Sequence, residues 1–210
     1  MNDEKVKLVL ASASPRRLAL LDQGGITPDL LNPVDIDETP KKREAARSIV
    51  QRLAAAKARM AQGSSQVRQL GGNIFILAAD TAVAVGRRLL PKAETPEDAS
   101  DCLWLLSGRS HRVYTAVCLI TPKGQRLLRV VDTRVRFKRL TREEVESYLV
   151  SDEWRGKAGG YAIQGRAEAF VRHLNGSYTN VVGLPLYETI SMLQGAGYPV
   201  YYSWMNYQPQ

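Results

Sequence analysis

Residues 73–85 read NIFILAADTAVAV, an almost unbroken apolar run with one charge inside it. A run this apolar predicts a strand buried on both faces. Such a strand needs other layers packed against it, and helical patterns precede and follow it, so an α/β protein is expected. Asp80 interrupts the run. A carboxylate there costs free energy unless it is paired, hydrogen-bonded or holding a metal. The plain alternative is an aspartate capping a turn at a strand end, but the apolar residues continue beyond it to Val85. Thr81 sets a hydroxyl beside the acid.

Upstream, residues 8–17 read LVLASASPRR. Leu8, Val9 and Leu10 form a short buried strand in this reading. Ser14 suits a helix N-cap, and Pro15 suits the first helical position, where its missing N–H costs nothing. Leu18, Leu20 and Leu21 continue a helix that Gly24 and Gly25 should stop. A strand, a small-residue turn and a helix start make an anion site. Arg16 and Arg17 would add bidentate phosphate binding there, with Ser12 and Ser14 lining the approach. A capped helix with two solvated arginines is the bland alternative.

The wider chain alternates in the same way. SIVQRLAAAKARMAQ (48–62) has helical spacing, and TPEDASDCLWLLSG starts a helix at Thr95-Pro96 and stops it near Gly108. HRVYTAVCLITP and RLLRVVDTRVRFKRL read as antiparallel strands joined across Pro122-Lys123-Gly124. Thr141 and Glu144 form a capping box. AFVRHL is a further strand, and LPLYETISMLQGAG is the last helix. The order implies a mixed sheet in one domain spanning residues 1–210. No GxGxxG or GxxxxGK[ST] loop is present, which argues against a doubly wound dinucleotide fold or a P-loop.

Composition narrows the function classes. The 210 residues carry a net charge of +8, so an anionic partner is expected. Aromatics are only 7% and the basic residues are spread along the chain, which disfavours a stacking surface for nucleic acid. A nucleotide would satisfy the same charge excess. Cys102 and Cys118 lie in apolar contexts without metal-ligand spacing, which fits a reducing, cytoplasmic location. The N-terminus lacks a signal-peptide core, and no apolar run approaches membrane-spanning length.

Several residues are candidates for chemistry. Asp35, Asp37 and Glu38 in VDIDETP could hold a hard cation or form a solvated acidic loop. Lys57 and Lys92 could reach phosphate or snorkel to solvent. In GKAGGYAIQG (156–165) the glycines permit close backbone approach to a ligand, and Lys157 supplies a cation. Gln164 carries a donor and an acceptor, suited to a base edge. GSYTNVVGLP (176–185) is similarly small and polar. His111 and His173 have no third ligand nearby and are read as structural or surface residues, excluding a zinc site.

ASASPRR, DETP, the RLAAAKA helix, AADT, KAGGYAIQG and NGSYTNVVGLPL, in this order, resemble the Maf (septum-formation) family of nucleoside triphosphate pyrophosphatases. The likeness extends from residue 8 to about residue 190. It implies an elongated, inosine-triphosphatase-like α/β fold with a cleft between two lobes. It also implies hydrolysis of a nucleoside triphosphate to the monophosphate and pyrophosphate with Mg²⁺ or Mn²⁺, and suggests a homodimer. Carried over position by position, the family's arginine pair falls on Arg16 and Arg17, its acid on Glu38, its helix lysine on Lys57 and its catalytic aspartate on Asp80. Thr81 neighbours that aspartate, and the loop glutamine is Gln164. Ala79-Asp80-Thr81 and Tyr161-Ala162-Ile163-Gln164-Gly165 match the branch that cleaves dTTP and UTP, rather than the 7-methyl-GTP branch. Pro91-Lys92-Ala93 departs from the family's Lys-Pro order.

The expected mechanism is attack of water on the α-phosphorus, with Asp80 as base and Glu38 and Asp80 as metal ligands. The implied role is to limit incorporation of unwanted nucleotides, with a link to cell-division arrest. Two rival readings are a non-catalytic nucleotide-binding regulator of septum formation and a nucleic-acid-binding module. Intact buried carboxylates disfavour the first, because a pure binder of a polyanion gains nothing from them. Only the +8 charge favours the second.

Overall fold

The computed structural model describes residues 5–205; residues 1–4 and 206–210, the ends of the expected 1–210 domain, lie outside it. Strand β1 (Val6–Leu10) leads into α1 (Pro15–Gln23), β2 (Leu30–Leu31), α2 (Ala46–Gln62), α3 (Ser65–Leu70) and the long β3 (Asn73–Val85). The chain returns through β4 (Arg88–Leu90), β5 (Lys92–Ala93) and α4 (Pro96–Leu106) to a hairpin of β6 (Ser110–Ile120) and β7 (Arg126–Phe137). Then follow α5 (Arg142–Val150), β8 (Lys157–Ala158), a 3₁₀ turn (Arg166–Phe170), β9 (Val171–Asn175), α6 (Tyr178–Val182), α7 (Leu186–Gly195) and α8 (Val200–Met205).

The main sheet runs β2-β1-β3-β6-β7-β9, with β4 also on β3, and a separate ribbon pairs β5 with β8. β1 lies parallel to both β2 and β3, whereas β3, β6, β7 and β9 are antiparallel in turn, so the sheet is mixed as expected. β3 is buried on both faces because its alternate side chains enter different cores. Phe75, Leu77, Ala79 and Val83 pack with Leu20, Leu21, Leu103 and Leu184 on one side. Ile76, Ala78 and Ala82 pack against Ile49, Leu53, Ala54 and Ala58 of α2 on the other. Alanines on both partners let that helix lie close to the strand, which brings Lys57 to Asp80.

Pairing along the other edge of β3 is interrupted. β1 covers it up to Leu77, and β4 begins at Val83. Among the described residues, 78–82 have no strand neighbour on that edge. Backbone that would otherwise be sealed in a ladder is open there, and Asp80 and Thr81 lie in the gap.

The capping boxes at Thr95 and Thr141 form as pairs of reciprocal hydrogen bonds, the first through Asp98 and the second through Glu144. Three local expectations are corrected. LPLYETISMLQGAG forms α7 and is not the last helix, because α8 follows it. Ser14 occupies the N-cap of α1, but its hydroxyl caps nothing. The Arg17 N–H donates instead to the Ser14 carbonyl at 3.1 Å. The AFVRHL strand begins at Val171 rather than Ala169, because Phe170 closes the 3₁₀ turn and its carbonyl accepts the Lys138 N–H at 2.9 Å.

Candidate active site

A cavity of about 410 Å³ opens at the gap in β3. Ser12, Ser14, Arg16, Arg17, Glu38, Lys57, Asp80, Thr81, Lys92, Lys157 and Gln164 all line it, so segments far apart in sequence converge on one cleft. Asp35, Asp37 and His173 do not line it. His111 is buried beneath the cleft wall, its Nε2 2.7 Å from Tyr161 Oη, and is structural as expected. Both cysteines are buried and free, and burial raises their thiols to about 11, which leaves them inert.

At the floor, Lys57 Nζ lies 2.6 Å from Asp80 Oδ1 and 2.6 Å from Glu38 Oε1. Lys92 Nζ reaches Glu38 Oε2 at 2.5 Å. Lys92 therefore arrives in the cleft despite the Pro91-Lys92-Ala93 order, because β5 is held on β8 in the register Lys92↔Ala158. The two carboxylates differ in environment. Burial raises the Asp80 carboxyl above its ordinary value, against the opposing charge and hydrogen bond of Lys57. Burial also acts on the more exposed Glu38, but hydrogen bonds from Lys57 and Lys92 outweigh it and hold that carboxyl at about 2.

The arginine pair divides its labour. Arg17 donates from Nε to the Gly183 carbonyl at 2.9 Å, from Nη1 to Ser12 Oγ at 3.1 Å and from Nη2 to Thr81 Oγ1 at 3.2 Å. With three of its five donors committed, Arg17 ties α1 to β3 and to the loop after α6. Thr81 continues the chain to Thr115 Oγ1 at 3.0 Å, which donates to the Asn180 carbonyl at 2.9 Å. Arg16 is different: its Nε is buried and without a hydrogen-bond partner. Burial, and then the charge of Arg17, depress Arg16, while burial and then Arg16 depress Lys157. Mutual repulsion among crowded cations is what an incoming anion relieves.

The glycine-rich loop also departs from its expected use. Gly159 and Gly160 have φ of +72° and +67°. A Cβ on Gly159 would meet Val83 at 3.0 Å, and one on Gly160 would meet the Ala99 backbone at 3.1 Å. These two glycines pack the loop onto β3 and α4, while Gly156, Lys157, Ala158, Tyr161, Ala162, Ile163 and Gln164 line the cleft. Gln164 is exposed at the cleft, and its amide makes no hydrogen bond among the described residues. Sequence reading missed Arg155 and Tyr161 as lining residues and the Thr115–Asn180 pair beneath Thr81, since none carries a periodic or charge-cluster signal.

Six cations and two carboxylates line the cleft, a net of +4. Carboxylate oxygens sit at its floor, and the cations around them outnumber them, with Arg16 Nε left without a partner, an arrangement that accepts a phosphate-rich ligand. The mixed sheet and this cleft define an α/β protein with a site for a polyanion. The HAM1 protein from Coxiella burnetii superposes with a TM-score of 0.53, covering 91% of this chain and 99% of that one at 16% identity, a likeness of fold alone. Residues 7–196 match the family described as Maf-like protein, and the chain belongs to that family. A dTTP/UTP pyrophosphatase from Rhodopseudomonas palustris is 62% identical over 200 residues, 95% of this chain and 97% of that protein. One from Mesorhizobium japonicum is 60% identical over 203 residues, 97% of this chain and 98% of that protein. No helix among the described residues is long and apolar enough to cross a membrane.

Proposed function

We propose that this chain hydrolyses dTTP and UTP to the nucleoside monophosphate and pyrophosphate. The observation that carries the reading is Asp80, a buried carboxylate with a raised pKa on the stretch of β3 that has one edge open, facing a cleft of net positive charge. The names of relatives about 60% identical over nearly the whole chain support the same activity.

Water attacks the α-phosphorus, Asp80 takes its proton, and the bond to the pyrophosphate oxygen breaks. A free aspartate has a pKa of about 3.9 and is a weak base, so raising it by burial strengthens it for this task. Arg16, Lys92 and Lys157 neutralise the charge that grows on the leaving pyrophosphate, the dominant requirement in phosphoryl transfer. Arg17 holds Thr81 and Ser12 in register, and Gln164 reads the pyrimidine edge with its own donor and acceptor.

The family resemblance implies a divalent metal, and the donor set fits one. Glu38 and Asp80 would supply the carboxylate oxygens, which already share one cation, each 2.6 Å from Lys57 Nζ. Two carboxylates with phosphates and waters are the usual Mg²⁺ environment, although no group of three or more His, Cys, Asp or Glu that could hold a metal occurs among the described residues. When bound, Mg²⁺ or Mn²⁺ would neutralise phosphate charge.

A panel of dTTP, UTP, CTP and GTP, assayed for released pyrophosphate with Mg²⁺ and with Mn²⁺, tests the reading. dTTP and UTP should lead within roughly two orders of magnitude of each other, since one methyl in an apolar pocket discriminates weakly. EDTA should abolish turnover and excess metal restore it. A panel led by a purine triphosphate overturns the substrate, and full activity in chelator overturns the metal.

A further inference from the structure

At the open end of the β6–β7 hairpin, opposite its 122–124 turn, a second cavity of about 410 Å³ gathers cations that the proposed catalysis leaves idle. It shares no lining residue with the catalytic cleft. Arg109 enters from the turn after α4, Arg136 and Arg139 from the end of β7 and the segment beyond, and Arg172 from β9. All four are exposed, and their side chains make no ion pair or hydrogen bond among the described residues. Lys138 also lines the groove but is paired with Glu144, and no carboxylate lines it.

Backbone hydrogen bonds tie the segments of the groove together. The Phe137 N–H donates to the Arg109 carbonyl at 3.0 Å, and the Gly108 N–H to the Lys138 carbonyl at 2.9 Å. Arg136 faces His173 and Phe137 faces Val171, so the β7–β9 register shifts and Arg172 is left over in a bulge. Bulges re-aim side chains, and this one adds Arg172 to the cluster. Four unpaired guanidiniums in one concavity repel one another, a cost that a bound anion removes.

We propose that this groove is a second anion site that takes linked phosphates, either inorganic pyrophosphate or the triphosphate tail of a nucleotide. Guanidinium forks match phosphate oxygens bidentately, and several forks around one concavity suit a compact anion with more than one phosphate. The aromatic residue in the groove, Phe137, is 1% exposed and offers no face for base stacking, which separates this site from a single-stranded nucleic-acid surface.

Calorimetric titration of the intact protein with inorganic pyrophosphate tests the assignment, with a non-hydrolysable α,β-imido analogue of UTP in a parallel arm. Both ligands should fill two sites per chain if the phosphates alone are recognised; two sites for the analogue alone identify the nucleotide tail as the ligand. The double variant Arg136→Gln/Arg172→Gln should weaken one site by about tenfold or more and leave the other unchanged. Arg109→Gln, from a separate segment, should act on the same site. Arg16→Gln should weaken only the other, so failure of the catalytic reading and failure of this one are distinguishable. A single site for both ligands in the unmodified protein overturns the proposal, as does unchanged binding in the groove variants. Binding of a short DNA duplex that depends on Arg136 and Arg172, with only one pyrophosphate site, overturns it in favour of a nucleic-acid surface.

Discussion

Replacing Lys57 with methionine keeps most of the side chain's volume and removes the cation that both floor carboxylates share. Lys57 and Asp80 are only 9% and 6% exposed, so the loss leaves Asp80 as a buried charge without its nearest partner. Removing one member of such a pair typically costs about 3–5 kcal/mol. Glu38 adds little to that figure, because its more exposed carboxylate keeps Lys92 and solvent. For a chain of this size each kcal/mol moves Tm by roughly 2–4 °C, so a fall of about 6–20 °C is expected at pH 8. The pH dependence is equally definite. Burial already raises Asp80, and Lys57 opposes that rise, so Asp80 climbs further in the variant. A carboxyl raised above its unfolded value contributes stability that is complete below the unfolded value and lost as pH climbs through the folded one. The deficit of Lys57→Met should therefore shrink on acidification, as Asp80 takes up a proton. Thermal melts of both proteins in EDTA at pH 5 and pH 8 measure this. A variant melting within about 2 °C of the parent at pH 8, or a deficit that grows on acidification, refutes the reasoning.

Asp80→Asn should lower kcat by about 10²–10⁴-fold while Tm holds, because Lys57 retains Glu38 at 2.6 Å; near-normal turnover would make Asp80 merely structural. Gln164→Ala should flatten the preference for dTTP and UTP over CTP in a nucleotide panel yet retain hydrolysis, and an unchanged preference would remove Gln164 from base recognition. Burial pushes His111 down to about 4, so the stability linked to its neutral form is complete above pH 6.5 and lost as pH falls toward 4. Urea unfolding should show about 3 kcal/mol of this acid loss disappearing in His111→Phe, and equal acid slopes in the two proteins would contradict it.

The strand at 73–85, the hairpin, the capped helices and the mixed sheet were legible from the residues because each rests on local periodicity or a short capping pattern. So was the candidate status of Asp80, whose charge is conspicuous in an apolar run. Other properties belong to no local segment. Ser14 has the residue type and the position of an N-cap, yet its hydroxyl makes no capping hydrogen bond. Arg16 and Arg17 are adjacent and chemically identical in sequence; only the positions of Gly183, Ser12 and Thr81 turn one into a clamp and leave the other's Nε without a partner. The glycines of the 156–165 loop read as room for a ligand, whereas Val83 and the backbone of Ala99 occupy the space beside Gly159 and Gly160. Periodicity reports which face of an element is buried, because that depends on spacing along one chain segment. What a buried polar group meets depends on distant segments, as Arg17 meets Gly183, and that only the tertiary structure decides.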